Sequence, residues 1–195
     1  AAINEAKESL KKDEVPIGCV IVCEDQIIAR GHNLVERLHD FTAHAEMQAY
    51  TSASEYLGGK SLDQCTLYVT LEPCAHQGRT GPCCDALAKA GIARVVASVQ
   101  DPNPQVAGQG LARLRAAGVQ VDTGLLENEA RELNIGFFKR MQHGTPWLRL
   151  KTAQSLDGHT ALNNGESQWI TGTAARDDGH HWRARAMAAA SLAPA

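Results

Sequence analysis

The sequence is poor in aromatic residues and has no long hydrophobic run. Phe, Trp and Tyr account for 5% of its 195 residues, and hydrophobic residues as a whole for 44%. No segment approaches the roughly 20 apolar residues of a membrane-spanning helix, and no basic segment followed by an apolar one marks a secretory signal. The 44% of hydrophobic residues is enough for a globular core. Because no long apolar run is present, we expect no membrane partner.

The chain also lacks an excess of basic residues. Its 19 Lys and Arg are outnumbered by 22 Asp and Glu, which gives a net charge of −3. Strong nonspecific binding to nucleic acids needs a basic surface, so the composition argues against a general nucleic-acid binder. Six cysteines are present, and without a secretory signal they indicate reduced thiols or metal ligands rather than disulfides. We therefore predict a cytoplasmic protein.

Hydrophobic periodicity predicts an α/β fold. Residues 15–23 and 26–30 are two apolar runs separated by a short acidic turn, which is typical of a β-hairpin. Helical spacing of apolar residues follows over 44–57 and stops at a Gly-Gly pair. The remaining predicted elements are a helix over 3–12, strands over 66–70, 94–99 and 119–121, and helices over 84–90, 111–117 and 125–140. This order predicts a mixed sheet of about five strands with helices on both faces.

Three short motifs carry the residues of a zinc site. His44 and Glu46 form an H-x-E pair, and Cys74 and Cys83 each follow a proline. One imidazole and two thiols occupy three corners of a catalytic zinc site, which leaves the fourth for water and the carboxylate free for proton transfer. H-x-E with a later P-C-x-x-C is typical of zinc-dependent nucleobase deaminases. We expect Zn²⁺ as the cofactor and Glu46 as the catalytic residue.

The second thiol departs from that spacing. Position 77, where C-x-x-C would place it, is Gln77, and the next cysteines are Cys83 and Cys84. Adjacent helical residues point about 100° apart, so only one of the two can face a metal. Cys83 is expected to open a helix, whose N-terminal partial positive charge favours thiolate over thiol. Spacing alone leaves the choice between the two cysteines open.

The loop around these cysteines resembles the deaminase half of bifunctional riboflavin-biosynthesis deaminase–reductases. The similarity runs over residues 70–84 and continues through 100–108. Residues 155–158 and 165–171 are similar to the opening of that family's reductase domain. The resemblance implies a cytidine-deaminase-like three-layer α/β/α fold and zinc-dependent hydrolytic deamination of a nucleotide-like amino-pyrimidine, diaminohydroxyphosphoribosylaminopyrimidine. It also favours Cys83, directly after the proline, as the zinc ligand beside His44 and Cys74.

The front of the chain resembles a second family. Residues 14–18, 28–33 and 42–47 are similar to tRNA adenosine deaminases and their guanine-deaminase relatives. The chain thus joins two family patterns, and a tRNA adenosine deaminase or guanine deaminase is the alternative function, with tRNA as its partner. A non-catalytic zinc-stabilised domain is the second alternative. Members of this fold commonly pair, so the resemblance also implies a homo-oligomer, a dimer or larger.

Three residues are candidates for contacts with the substrate. By resemblance, Asn33 lies where the adenosine deaminases place an amide that reads the base, and an Asn at this point also suits a turn. Arg79 lies where the riboflavin family has a basic residue, and a guanidinium suits bidentate binding of phosphate. His76 is a weaker candidate for the same pocket. Glu72, two residues before Cys74, is predicted to bond backbone N–H groups near the site.

A domain boundary is predicted near residues 143–146, a segment that contains glycine and proline. All three tryptophans lie beyond it. We therefore predict a zinc-dependent deaminase domain over 1–145 and a truncated reductase-like α/β domain, its first strand and helix, over 146–195. Each βαβ unit of a dinucleotide-binding domain takes about thirty residues, so the second segment is too short for reductase activity.

Overall fold

The computed structural model describes residues 1–59 and 61–184, which form two compact units, one up to Trp147 and one beginning at Leu148. The first unit contains, in chain order, α1 (Ala2–Leu10), β1 (Gly18–Cys23), β2 (Gln26–His32), α2 (Val35–Leu38), α3 (Ala45–Tyr56), β3 (Cys65–Val69), α4 (Cys83–Lys89), β4 (Arg94–Ala97), α5 (Gln109–Ala116), β5 (Gln120–Thr123), α6 (Glu127–Leu133) and α7 (Ile135–His143). The second unit contains α8 (Thr173–Ala184). Within the described ranges, no helix has the length and apolar character needed to cross a membrane.

The five strands form one mixed sheet in the order β2-β1-β3-β4-β5. Strand β1 pairs antiparallel with β2 and β3, whereas the β3–β4 and β4–β5 pairs are parallel. The β1–β2 hairpin turns at Glu24 and Asp25, whose positive φ angles of 47° and 62° are those of the tight turn that right-twisted strands prefer. The predicted hairpin and the predicted mixed sheet of five strands are confirmed.

Two glycines show that helices cover both faces of the sheet. A Cβ atom on Gly18 would lie 2.2 Å from the Ala6 nitrogen, so α1 packs directly on β1. A Cβ atom on Gly31 would lie 2.2 Å from the Ala45 oxygen, so α3 packs directly on β2. Gly31 pairs with Cys19, and successive strand residues point to opposite faces, so α1 and α3 lie on opposite faces. This confirms the three-layer α/β/α class and places the start of α3 against the end of β2.

The main core lies between the sheet and helices α3, α4 and α5. Its fully buried side chains include Ile21, Leu67, Leu87, Val95 and Leu114. These side chains come from both the strands and the helices, so burial of this apolar surface holds the starts of α3 and α4 at fixed positions against the sheet.

The single helix predicted over 125–140 is wrong in two respects. Leu126 has a left-handed backbone (φ 55°), so α6 begins only at Glu127. Asn134 then separates α6 from α7, because its side-chain amide is buried and donates to the carbonyl oxygens of Pro16 (2.9 Å) and Ala130 (3.2 Å). The hydrophobic period continues across the break, and for this reason the sequence pattern does not show it. The four-residue helix α2 was also not predicted.

The second unit has the predicted helix but not the predicted strand. Among residues 148–184 the structure has α8 and turns, and no β-strand. A strand needs a neighbouring strand to satisfy its backbone N–H and C=O groups, and no other segment of this described range supplies one.

Candidate active site

Three predicted metal ligands meet at the ends of secondary-structure elements. His44 immediately precedes α3, Cys83 is the first residue of α4, and Cys74 lies in the loop between β3 and α4. Their ligand atoms lie within 4.8 Å of one another. The Nδ1 atom of His44 is 3.2 Å from the Cys83 Sγ and 3.8 Å from the Cys74 Sγ. The fold thus brings together residues that are up to 39 positions apart in the chain.

The cluster suits a zinc ion. One imidazole nitrogen and two thiol sulfurs are the donors that zinc prefers, and they supply three of its four tetrahedral positions. No fourth His, Cys, Asp or Glu joins the group in the part of the chain that the structure describes. A structural zinc site normally has four protein ligands, whereas a catalytic site has three and leaves one position open. The number of protein ligands in the described residues matches that of a catalytic site.

The structure separates the two adjacent cysteines. Cys83 faces His44 and Cys74, and its backbone N–H donates to the Cys74 Sγ over 3.2 Å. The Cys84 thiol instead donates to Asp85 Oδ1 over 3.4 Å, and Cys84 belongs to the main hydrophobic core. The helical turn between the two residues accounts for this difference in direction.

Hydrogen bonds within the cluster change the pKa values of its members. Hydrogen bonding from the Cys83 thiol and from His44 lowers the pKa of Cys74 to about 4. The same hydrogen bond to Cys74 raises the pKa of Cys83, and burial raises it further. The bond with Cys74 also raises the pKa of His44. A thiolate is the form of cysteine that binds metal, and the hydrogen bonds to Cys74 favour that form.

Glu46 supplies a carboxyl group with the properties of a proton carrier. It lies in the first turn of α3 and is only 4% exposed. Burial raises the pKa of Glu46 to about 7, against the opposing effect of the nearby His44 charge. A group whose pKa lies near the working pH can both accept and return a proton.

Sequence analysis missed Asp101, a second buried carboxyl near the site. Asp101 follows β4 and is 8% exposed, and burial raises its pKa to about 6. Its charge interacts with Glu46, Cys74 and His76. The feature of the sequence that could have indicated Asp101 is its position just after a parallel strand, where ligand sites of open α/β sheets lie. The following Pro-Asn instead indicated a turn, and Asp101 Oδ1 does accept the Asn103 N–H over 2.7 Å.

The predicted role of Glu72 in bonding backbone groups is confirmed. Its carboxylate, 3% exposed, accepts four backbone N–H groups, those of Asp101, Gly108, Gly110 and Leu111, at 2.8–3.2 Å. Gly110 is required for this approach, since a Cβ atom there would lie 2.1 Å from the Pro73 oxygen. Glu72 therefore joins the loop that carries Cys74 to the loop that carries Asp101.

We predict that Glu72→Ala lowers the free energy of unfolding by at least about 3 kcal/mol, because hydrogen bonds to a charged group are each worth about 1.5–3 kcal/mol and the donors are left without a partner. Urea denaturation followed by circular dichroism measures the change. The matched control is Glu55→Ala on α3, where the side chain is exposed; there we expect a change within about 0.5 kcal/mol. Equal stability of the two variants would contradict the role of Glu72.

The three predicted substrate-contact residues differ in their surroundings. Asn33, buried just after β2, donates through Nδ2 to Glu14 Oε2 over 3.0 Å. Glu14 is buried as well and also accepts the Arg37 backbone N–H over 2.8 Å. No sequence pattern indicated that Glu14 would bind Asn33. His76 and Arg79 are exposed in the loop between the two cluster cysteines. In the described residues, neither makes a hydrogen bond or ion pair with the His44–Cys74–Cys83 cluster.

A mixed five-stranded sheet with an open His–Cys–Cys cluster and a buried glutamate at the start of a helix defines a zinc-binding, cytidine-deaminase-like domain. The family described as cytidine and deoxycytidylate deaminase zinc-binding region matches residues 1–99, and the chain belongs to this family. A second family, described as RibD C-terminal domain, matches residues 146–189. The predicted fold class and the predicted zinc-binding region are thereby confirmed.

Relatives agree with this assignment. The riboflavin biosynthesis protein RibD of Escherichia coli (strain K12) is 53% identical over 172 residues, which cover 88% of this chain and 44% of that protein. The solved diaminohydroxyphosphoribosylaminopyrimidine deaminase/5-amino-6-(5-phosphoribosylamino)uracil reductase of Thermotoga maritima is 38% identical, with a TM-score of 0.81, over 93% of this chain and 50% of that one. A solved tRNA:A34 deaminase is also 38% identical, with a TM-score of 0.59, over 67% of this chain and 94% of that one. The chain spans about half the length of the RibD relatives it matches.

Proposed function

We propose that this chain is a zinc-dependent hydrolytic deaminase of riboflavin biosynthesis, acting on diaminohydroxyphosphoribosylaminopyrimidine. The observation that carries the proposal is the three-residue cluster of His44, Cys74 and Cys83 beside the buried Glu46. The similarity to RibD over 88% of the chain supports the choice of substrate. Residues 1–145 would form the deaminase domain, and residues 146–195 part of a reductase-like domain.

In this proposal His44, Cys74 and Cys83 would hold a zinc ion, which would lower the pKa of a water in the site to about 7. Glu46 takes up a proton on its carboxylate as the attacking water loses it, and gives it to the adjacent ring nitrogen of the pyrimidine. It then carries the second proton of the water to the departing amine, so that the products are the keto-pyrimidine and ammonia.

The substrate-contact residues receive separate roles in the proposal. The Asn33 amide binds the base. Its Nδ2 group donates to Glu14, so the Asn33 Oδ1 atom is held in place as an acceptor for a ring or amino N–H of the substrate. Arg79 binds the terminal phosphate from the exposed loop, with His76 beside it. The reaction is proposed to take place in a homodimer or larger oligomer in the cytoplasm.

A tRNA adenosine deaminase is the second candidate. The similarity to a tRNA:A34 deaminase over 94% of that protein favours it. A non-catalytic zinc domain is disfavoured, because the cluster has three protein ligands in the described residues and a structural site needs four.

The deciding experiment measures ammonia release by zinc-loaded protein. The diaminopyrimidine phosphate and a tRNA anticodon stem-loop are offered in parallel, and a chelator-treated sample is the control. We expect turnover of the pyrimidine only, and its loss on removal of zinc. Turnover of the stem-loop alone would overturn the proposed substrate, and zinc binding without turnover of either would support a non-catalytic domain.

A further inference from the structure

We propose that Phe41 is a positioning residue for Arg79: its ring holds the guanidinium at the rim of the site, with the N–H edge free to bind the substrate's phosphate. This inference rests on the proposed function, because it assumes a phosphorylated substrate. It assigns to Phe41 a role that the sequence motifs do not indicate.

The positions of the two residues place them at the rim of the cluster. Phe41 lies three residues before His44, and Arg79 lies in the loop between Cys74 and Cys83. These two segments carry all three residues of the cluster. A contact between Phe41 and Arg79 therefore joins both walls of the site on the side of its exposed loops.

The contact consists of two interactions. The Arg79 guanidinium carbon lies 4.2 Å from the centroid of the Phe41 ring, within the distance of a cation–π interaction. The Thr80 hydroxyl donates to the Phe41 carbonyl oxygen over 3.3 Å. Phe41 remains 44% exposed, so burial in the core does not account for a large apolar side chain at this point.

The stacked guanidinium keeps its donors available. The ring lies on one side of the guanidinium carbon, and an arginine has five N–H donors, of which a phosphate needs only two. In the part of the chain that the structure describes, Arg79 makes no hydrogen bond or ion pair. Stacking restricts the rotamers of a long, exposed side chain before the ligand arrives, which reduces the entropy lost on binding.

The position of Arg79 suits the outer end of a substrate. Arg79 is exposed in the loop between Cys74 and Cys83, so its charge is available to a phosphate at the rim of the site rather than to a base inside it. A planar guanidinium binds two phosphate oxygens at once, so an orientation fixed by Phe41 selects a terminal phosphate.

The test compares Phe41→Leu, which keeps apolar bulk but has no aromatic face, with Phe41→Tyr, which keeps the face. Each is assayed on the diaminopyrimidine phosphate and on the same compound without phosphate. For Phe41→Leu we expect the KM of the phosphorylated substrate to rise about two- to fivefold, which corresponds to one exposed cation–π contact. We expect its kcat and the KM of the dephosphorylated compound to stay as in the wild type, and Phe41→Tyr to restore the low KM. Leu38→Ala, at another exposed apolar residue before His44, is the matched control.

Equal KM changes for the two substrates, a fall in kcat alone, or no change in Phe41→Leu would each overturn the inference. Zinc content and thermal unfolding are measured for every variant. If Phe41→Leu loses zinc or unfolds at a lower temperature than the wild type, its higher KM reflects a general loss of structure, and this contradicts a positioning role. If the wild type deaminates neither form of the pyrimidine, the proposed function fails and the inference fails with it. If the wild type is active and Phe41→Leu behaves like it, only the inference fails.

Discussion

Replacing Glu46 by glutamine is expected to reduce kcat for deamination by about a thousandfold, the middle of the range for loss of a general acid–base. The amide has nearly the same size but cannot take a proton from water and return it. Because Glu46 is not part of the His44–Cys74–Cys83 cluster, zinc content should stay near that of the wild type. Ammonia release under saturating substrate, together with zinc analysis of the same samples, measures both quantities.

The matched control for this prediction is Glu55→Gln on the same helix. Glu55 is exposed in the last turn of α3, whereas Glu46 is buried in the first, and we expect Glu55→Gln to retain wild-type kcat. If Glu46→Gln keeps more than about a tenth of wild-type kcat, a loss smaller than general acid–base catalysis supplies, another group carries the proton. Asp101, with its pKa raised by burial to about 6, would then be the next residue to replace.

Cys83→Ser is expected to lose zinc, whereas Cys84→Ser is expected to keep it. Serine does not provide a thiolate, and a site with three protein ligands loses one of its few strong donors. Zinc analysis by atomic absorption should give about one zinc per chain for the wild type and for Cys84→Ser, and about a tenth or less for Cys83→Ser. Activity should follow zinc content.

The two cysteine variants control for one another, since they differ by one position and carry the same substitution. Cys84 lies in the main core, so Cys84→Ser places a hydroxyl there and should lower the free energy of unfolding by about 1–3 kcal/mol, without loss of metal. The reverse pattern, with zinc lost only from Cys84→Ser, would show that the metal uses the other side of α4.

Local patterns predicted most of the fold. The β1–β2 hairpin, α3 with its stop at two glycines, and the alternation from β3 to β5 all follow from apolar periodicity and turn residues, which act over a few neighbouring positions. The break at Asn134 was missed because its cause is the carbonyl of Pro16, a partner 118 residues away. The prediction of a strand after residue 146 was wrong because of another distant requirement: a strand forms only beside a partner strand.

The candidate site shows a similar division. His44, Glu46, Cys74 and the prolines before the two thiols are recognisable from residue type and order. Asp101 and Glu14 were not recognised, because a carboxylate in a loop is usually solvated, and only folding shows that these two are buried.

By itself, the sequence indicated the types of donor in the metal site, the class of reaction that they suit and the order of the five strands, because these depend on residue chemistry and short-range spacing. Only the tertiary structure decided that Cys83 rather than Cys84 faces His44, that Glu72 accepts four backbone N–H groups, and that the Arg79 guanidinium carbon lies over the Phe41 ring. Each of these depends on the direction of a side chain toward a partner many residues away. That direction is set by packing of helices on the sheet, which no local pattern contains.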